Sequence, residues 1–316
     1  NNNEEVKEIL NNNYQYYYYS DFINTFFNCT KVGVSGTHGK TTTASLIKTL
    51  FKNESISYII GDSNGKGKKN CKYLIFEACE YKQHFLNYDY DYLIINNIDY
   101  DHPDYYNNID EVITAFKNAS KKAKNIIVNN DDINSTKITH QNKYTFGIKN
   151  KSFVTGMVLQ KNKEGYNIKV NVKDEEYYFD LPFFGEFMIY NFLCAFTVYY
   201  VIHIQKNKKI GNINNLLKEY ENPRRRKETI ILENKNIIID DYAHHPTEIE
   251  ETYNSIIEQY NDYEITIVFQ PHTYTRTIFL YKEFREVFKN KESYISALGL
   301  IAFSISISLM FVSLFE

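Results

Sequence analysis

A short stretch, Gly36-Thr37-His38-Gly39-Lys40-Thr41-Thr42, sits between the β-prone run Lys31-Val32-Gly33-Val34-Ser35 and the helically spaced Leu46, Ile47, Leu50 and Phe51. Strand, glycine-bearing turn and helix, in that order, make a phosphate cradle. Glycines let backbone N–H groups approach phosphate oxygens, and the helix start adds partial positive charge. In that reading Lys40 meets the β- and γ-phosphates of a bound ligand and Thr41 offers its hydroxyl to Mg²⁺. Gly36, Thr37, His38, Gly39 and Thr42 line the cradle. The spacing is tighter than the common Gly-x-x-x-x-Gly-Lys-Ser/Thr, because Val34 stands five residues before Gly39. A glycine-rich turn with a chance lysine is the bland alternative, and the flanking strand and helix disfavour it.

Two acidic groups follow apolar runs further along. Glu77 and Glu80 close Tyr73-Leu74-Ile75-Phe76, while Asp99, Asp101, His102 and Asp104 follow Tyr92-Leu93-Ile94-Ile95. Ligands of parallel sheets gather at the carboxyl ends of strands. Carboxylates there hold Mg²⁺ through oxygen, and a neutral imidazole holds a second ion. An acidic loop alone is a solvated turn; beside a phosphate cradle it reads as a metal site.

These residues need a scaffold, and the pattern supplies one. Continuous apolar runs at 73–76, 92–95 and 125–128 read as strands covered on both faces, alternating with helices at 42–53 and 111–123. That alternation predicts an α/β fold with a parallel sheet. Short alternating segments over 153–184 predict an antiparallel appendage, and helices are expected at 190–205 and 213–221. The first stretch, 4–28, reads as helix, short strand and helix. Pro223-Arg224-Arg225-Arg226 marks a hinge, after which an α/β pattern restarts. The predicted division is a remnant of a preceding domain (1–28), a domain carrying the phosphate cradle (29–222), part of a second α/β domain (223–293) and an uncharged tail (294–316). The absence of an initial Met reads as a fragment. The tail is as long as the roughly 20 residues of a membrane helix, so it reads either as an anchor or as an altered chain end, the second preferred.

Composition bounds the function. The 316 residues are 43% hydrophobic and 24% charged with a net charge of -3, and mean hydropathy is -0.47. A polytopic membrane protein is excluded, and nothing in the charge marks a nucleic-acid partner. Four cysteines at 29, 71, 79 and 194 form no close pair in sequence, which predicts reduced thiols and a cytoplasmic chain.

Gly36 to Thr43, Glu77-Ala78-Cys79-Glu80-Tyr81 and Asn97-Ile98-Asp99-Tyr100-Asp101-His102 together resemble the central domain of the Mur ligases. Asp240-Asp241-Tyr242-Ala243-His244-His245-Pro246-Thr247-Glu248 and Phe269-Gln270-Pro271-His272-Thr273-Tyr274-Thr275-Arg276-Thr277 resemble the alanine-adding branch of that family. The resemblance runs from about residue 3 to 288. It implies a central P-loop-type ATPase domain followed by a partial Rossmann-like domain. It also implies ATP, Mg²⁺, UDP-N-acetylmuramic acid and L-alanine as ligands, and a monomer or weak homodimer.

The implied reaction phosphorylates a muramyl carboxylate, and the alanine amine then attacks the acyl phosphate. Lys40, Glu77 and His102 match the catalytic positions, with Thr41, Glu77 and His102 as metal holders. Asn191, Arg226 and Asp241 match nucleotide contacts, and His244, His245, His272 and Arg276 face the substrate cleft. Three positions depart from the family pattern: Met188 replaces an adenine-contacting Asn, Lys227 an aromatic residue and Thr273 an Arg. The short first segment implies an incomplete UDP-sugar subsite, so the chain alone is expected not to ligate. Alternatives are an inactive or membrane-tethered nucleotide-binding module, or another Mur-type ligase that recycles murein peptides.

Overall fold

The computed structural model describes residues 3–233, 236–289, 291–295 and 308–314. Helices α1 (Glu4–Asn11) and α2 (Tyr19–Phe26) open the chain. The expected strand between them is absent: 12–18 is irregular, its run of tyrosines largely exposed, so no apolar face is available to pair.

A ten-stranded sheet follows. Its strands are β1 (Thr30–Ser35), β2 (Ile56–Ile60), β3 (Asn64–Lys66), β4 (Tyr73–Glu77), β5 (Tyr90–Ile95), β6 (Ala123–Asn129), β7 (Lys143–Gly147), β8 (Val154–Asn162), β9 (Gly165–Val172) and β10 (Glu175–Leu181). The spatial order is β10-β9-β8-β7-β6-β5-β1-β4-β2-β3. β1 lies between β4 and β5, parallel to both. Winding reverses at β1, and that reversal opens a crevice at the carboxyl ends of the three strands. The appended strands are antiparallel as expected, but they continue the main sheet through the parallel pair β7–β8.

Helix α3 (Lys40–Leu50) begins two residues before the predicted start, and α4 (Ile109–Ser120) two before its own. Helix α5 (Glu186–Gln205) takes in the Gly185 turn as its cap. Its apolar composition would suit a membrane span, yet 83% of that window is buried. It packs against α3 on one face of the sheet. Buried polar groups on α5 bond locally: Thr197 Oγ1 donates to Leu193 O at 2.6 Å. On the other face, α4 packs Phe116 edge-on to Phe85, and Ile23 of α2 joins that core. Short helix α6 (Ile213–Leu217) ends this half.

The second sheet holds β11 (Glu228–Ile231), β12 (Ile237–Asp241), β13 (Tyr263–Phe269), β14 (Ser293–Ile295) and β15 (Ser308–Leu314), in the order β11-β12-β15-β13-β14. Helices α7 (Pro246–Gln259), α8 (Tyr274–Phe279) and α9 (Tyr281–Phe288) accompany it. A core of Ile239, Ile249, Ile256, Ile267 and Phe269 joins α7 to this sheet. Of the uncharged tail, 308–314 is a strand antiparallel to both β12 and β13, not a helix. Residues 296–307 lie outside the described residues.

Candidate active site

At the end of β1 the chain turns into the predicted phosphate cradle. Gly36 (φ 133) and Gly39 (φ 77) adopt backbone conformations that L residues rarely reach. A Cβ on Gly39 would also lie 2.6 Å from Asn191 Oδ1. The loop is pinned from β5: Asn97 Oδ1 accepts from His38 N at 2.8 Å, and Asn96 Nδ2 donates to Thr43 Oγ1 at 2.9 Å. Thr41 is buried at the start of α3.

Lys40 is partly buried under this loop. Its Nζ donates to Gly36 O at 2.6 Å, to Thr37 O at 3.1 Å and to both oxygens of Glu80, at 3.2 and 3.0 Å. His102 Nε2 stands 3.6 Å from Glu80 Oε1. Burial pushes Glu80 upward, but Lys40 and His102 outweigh it and hold the carboxyl below its usual range. A carboxylate, an imidazole and an ammonium thus converge at the mouths of β1, β4 and β5.

Glu77, the carboxylate that the resemblance implies for the metal, makes a separate contact. Its Oε1 accepts from Gly61 N at 2.6 Å, on the β2 side of the sheet. β4 ends at Glu77, with Ala78 N still bonded to Val34 O; the chain then turns and delivers Glu80 beneath the cradle. The acid that meets Lys40 and His102 is Glu80.

The second sheet closes over the cradle through several side-chain contacts. His38 Nδ1 stands 3.2 Å from Glu248 Oε1 on α7, and its Nε2 3.4 Å from Asp99 Oδ2. Burial pulls His38 down, but the two carboxylates prevail and raise it to about 10, so it is a cation at neutral pH. Further along, Arg276 of α8 forks onto Asp101 with its Nε and Nη2. Arg276 Nη1 lies 3.3 Å from His272 Nδ1, and the His244 and His272 rings are 5.1 Å apart. His245 caps α7, and its ring lies 4.7 Å from that of His38, tilted by 45°. Thr273, the position expected to carry Arg, caps α8 by accepting from Arg276 N at 3.4 Å.

Beside the cradle lies a cavity of about 420 Å³, lined by His38, Met188, Asn191, Arg226, Lys227 and Asp241 among others. Asn191 Oδ1 accepts from Thr43 Oγ1, and its buried Nδ2 has no partner among the described residues. Asp241 is fixed by the Lys227 and Ala243 N–H groups, each at 2.8 Å. Burial lowers Lys227 to about 8 against the pull of Asp241, and raises Glu251 to about 7. The cavity therefore offers cations, a free amide donor and apolar walls, which suits a nucleotide. Glu248, Glu251, Asn96 and Lys227 were not foreseen as site residues. Only Glu248 carried a signal, standing four residues after His244 at a helix start.

Residues 34–199 match the Mur ligase middle domain. The chain belongs to the Mur ligase family. It is 36% identical over 297 residues to the UDP-N-acetylmuramate–L-alanine ligase of Streptococcus mutans, covering 92% of this chain and 65% of that protein. It is 38% identical over 262 residues to the enzyme of the same name from Ligilactobacillus salivarius, covering 81% of this chain and 58% of that one. This Mur ligase chain thus spans about two thirds or less of the length of those relatives. Among solved structures, UDP-N-acetylmuramate-alanine ligase from Thermotoga maritima superposes with a TM-score of 0.69 at 22% identity, covering 85% of this chain and 67% of that one. The MurF ligase of Thermotoga maritima in complex with ADP gives 0.69 at 16%, covering 87% and 68%. Those likenesses establish a Mur ligase α/β fold built on a mostly parallel central sheet.

Proposed function

We propose that this Mur ligase chain carries the ATP-handling site of an enzyme that joins L-alanine to the carboxylate of UDP-N-acetylmuramic acid, in peptidoglycan precursor synthesis. The observation that carries the reading is the convergence of Lys40, Glu80 and His102 beneath the cradle. The names of the relatives support the choice of substrates.

The donor set fits a hard dication: a buried carboxylate with an imidazole beside it, and a buried hydroxyl at the start of α3. Glu80, His102 and Thr41 would hold Mg²⁺, which when bound neutralises phosphate oxygens. The chain's own groups do the rest. Lys40, now spread over two loop carbonyls and Glu80, re-aims at phosphate oxygens and stabilises the charge that moves during transfer. Arg226 and the Asn191 amide face the cavity and hold the nucleotide. His38, held cationic, stands between the cradle and α7, where an acyl phosphate would form. His244, His272 and Arg276 form a polar rim for the incoming amino acid, in which burial keeps both imidazoles neutral and Arg276 supplies the charge.

Titration calorimetry with Mg-ATP tests the reading. Saturable binding that Lys40→Ala abolishes is the expected result; no binding by the intact chain overturns it.

A further inference from the structure

The sulfurs of Cys29 and Cys71 are 2.8 Å apart. Sequence spacing gave no sign of this, because 42 residues separate them. Strand pairing brings them together: Thr30 pairs with Tyr73 in parallel register, and Thr30 N donates to Lys72 O at 3.0 Å. Cys29 and Cys71 sit just outside that first rung, at the entries of neighbouring strands. Both are partly exposed, so a small reagent reaches them. Of the other two cysteines, Cys79 is exposed beside Glu80 and Cys194 is buried in α5.

We propose that Cys29 and Cys71 form a reversible redox site, closing to a disulfide on exchange with a low-molecular-weight disulfide such as oxidised glutathione. The site lies at the amino ends of β1 and β4, away from the phosphate cradle at their carboxyl ends, and does not rest on the ligase reading. Burial and the neighbouring Cys71 sulfur push the Cys29 thiol up to about 12, so the opening attack is assigned to Cys71. Its thiolate displaces one glutathione thiolate and forms a mixed disulfide. Cys29 then gives up its proton, attacks the Cys71 sulfur and expels the second glutathione thiolate. Two protein thiols are oxidised while one glutathione disulfide is reduced to two thiols. The closed ring encloses β1, the cradle, α3 and β2, so the bond restricts the unfolded chain across the nucleotide-binding half.

The test is intact-mass analysis of the full chain after exposure to oxidised glutathione, with remaining thiols capped by N-ethylmaleimide in denaturant. The expected result is two maleimide adducts in place of the four on the reduced chain. Dithiothreitol should restore four, and digestion should yield one linked peptide pair holding Cys29 and Cys71. Cys29→Ser and Cys71→Ser should each abolish that pair, and oxidation should raise the thermal midpoint of the wild type only. Four adducts after oxidation, stable glutathione adducts on both residues, or a linked pair that survives in Cys29→Ser overturns the proposal.

Discussion

Arg276 of α8 grips Asp101, in the loop after β5, through two hydrogen bonds, at 2.9 and 3.0 Å, with each side chain 7% exposed. The pair spans 175 residues of chain. A planar guanidinium matches a carboxylate in this two-pronged way, and lysine cannot. Asp101 Oδ1 also accepts from His102 N at 2.7 Å, so closure of the second sheet and the pose of His102 share one carboxylate.

Removing one partner of such a pair strands the other charge in a dry interface. Asp101→Ala is expected to cost about 3–5 kcal/mol in urea unfolding. Arg276→Lys should cost less, because a charge remains. A loss under 1 kcal/mol for Asp101→Ala would show that the pair is solvated.

The His38 contact gives a pH dependence of known sign. Its folded pKa, about 10, lies above the ordinary 6.5, so its stabilising share is complete below 6.5 and is lost as pH rises toward 10. Glu248 is the stronger partner, since its side chain is 11% exposed against 44% for Asp99. Thermal midpoints measured from pH 6 to 10 should fall more steeply for wild type than for His38→Asn. Equal slopes would place the alkaline loss elsewhere.

Glu251 makes the opposite kind of handle at the cavity. Burial first, then Glu248, Glu186 and Asp99, lift its carboxyl to about 7 against the pull of His38. A polyanionic nucleotide binds best when Glu251 is neutral, so ATP affinity should weaken as pH climbs through 7. Glu251→Gln should flatten that dependence between pH 6 and 8 in binding titrations.

Gly33 tests the packing beneath the cradle. A Cβ there would meet the Tyr90 ring at 2.3 Å, and Tyr90 and Phe76 lie parallel with centroids 5.9 Å apart. Tyr90 is buried and bonded to Phe85 O, so it has little room to retreat. Gly33→Ala is expected to destabilise by about 1–3 kcal/mol, read from denaturant unfolding.

Much of this was legible in the order of residues. The runs at 73–76 and 92–95 announced central strands because both faces are covered, and the Gly36–Thr42 turn announced the cradle between strand and helix. Ile56–Ile60 went unread as a strand although its residues are mostly apolar: it is short and half-buried, near an edge of the sheet. Glu77 and Glu80 could not be separated by spacing, because the turn after β4 decides which carboxylate swings under Lys40. Cys29 and Cys71 were invisible as a pair, since only strand register brings them together. Contacts such as Asp101 with Arg276 depend on how two sheets dock, and no local pattern encodes that.

The central claim is that Glu80, with Lys40 and His102, forms the metal–phosphate centre. The most direct measurement is the Mg²⁺-dependent affinity for ATP of Glu80→Gln beside Glu77→Gln, each checked for an unchanged circular dichroism spectrum. Loss of a charge-assisted contact worth about 1.5–3 kcal/mol should weaken binding by about 10- to 100-fold in Glu80→Gln. Glu77→Gln should stay near wild type. Equal losses, or a larger loss in Glu77→Gln, would contradict the account.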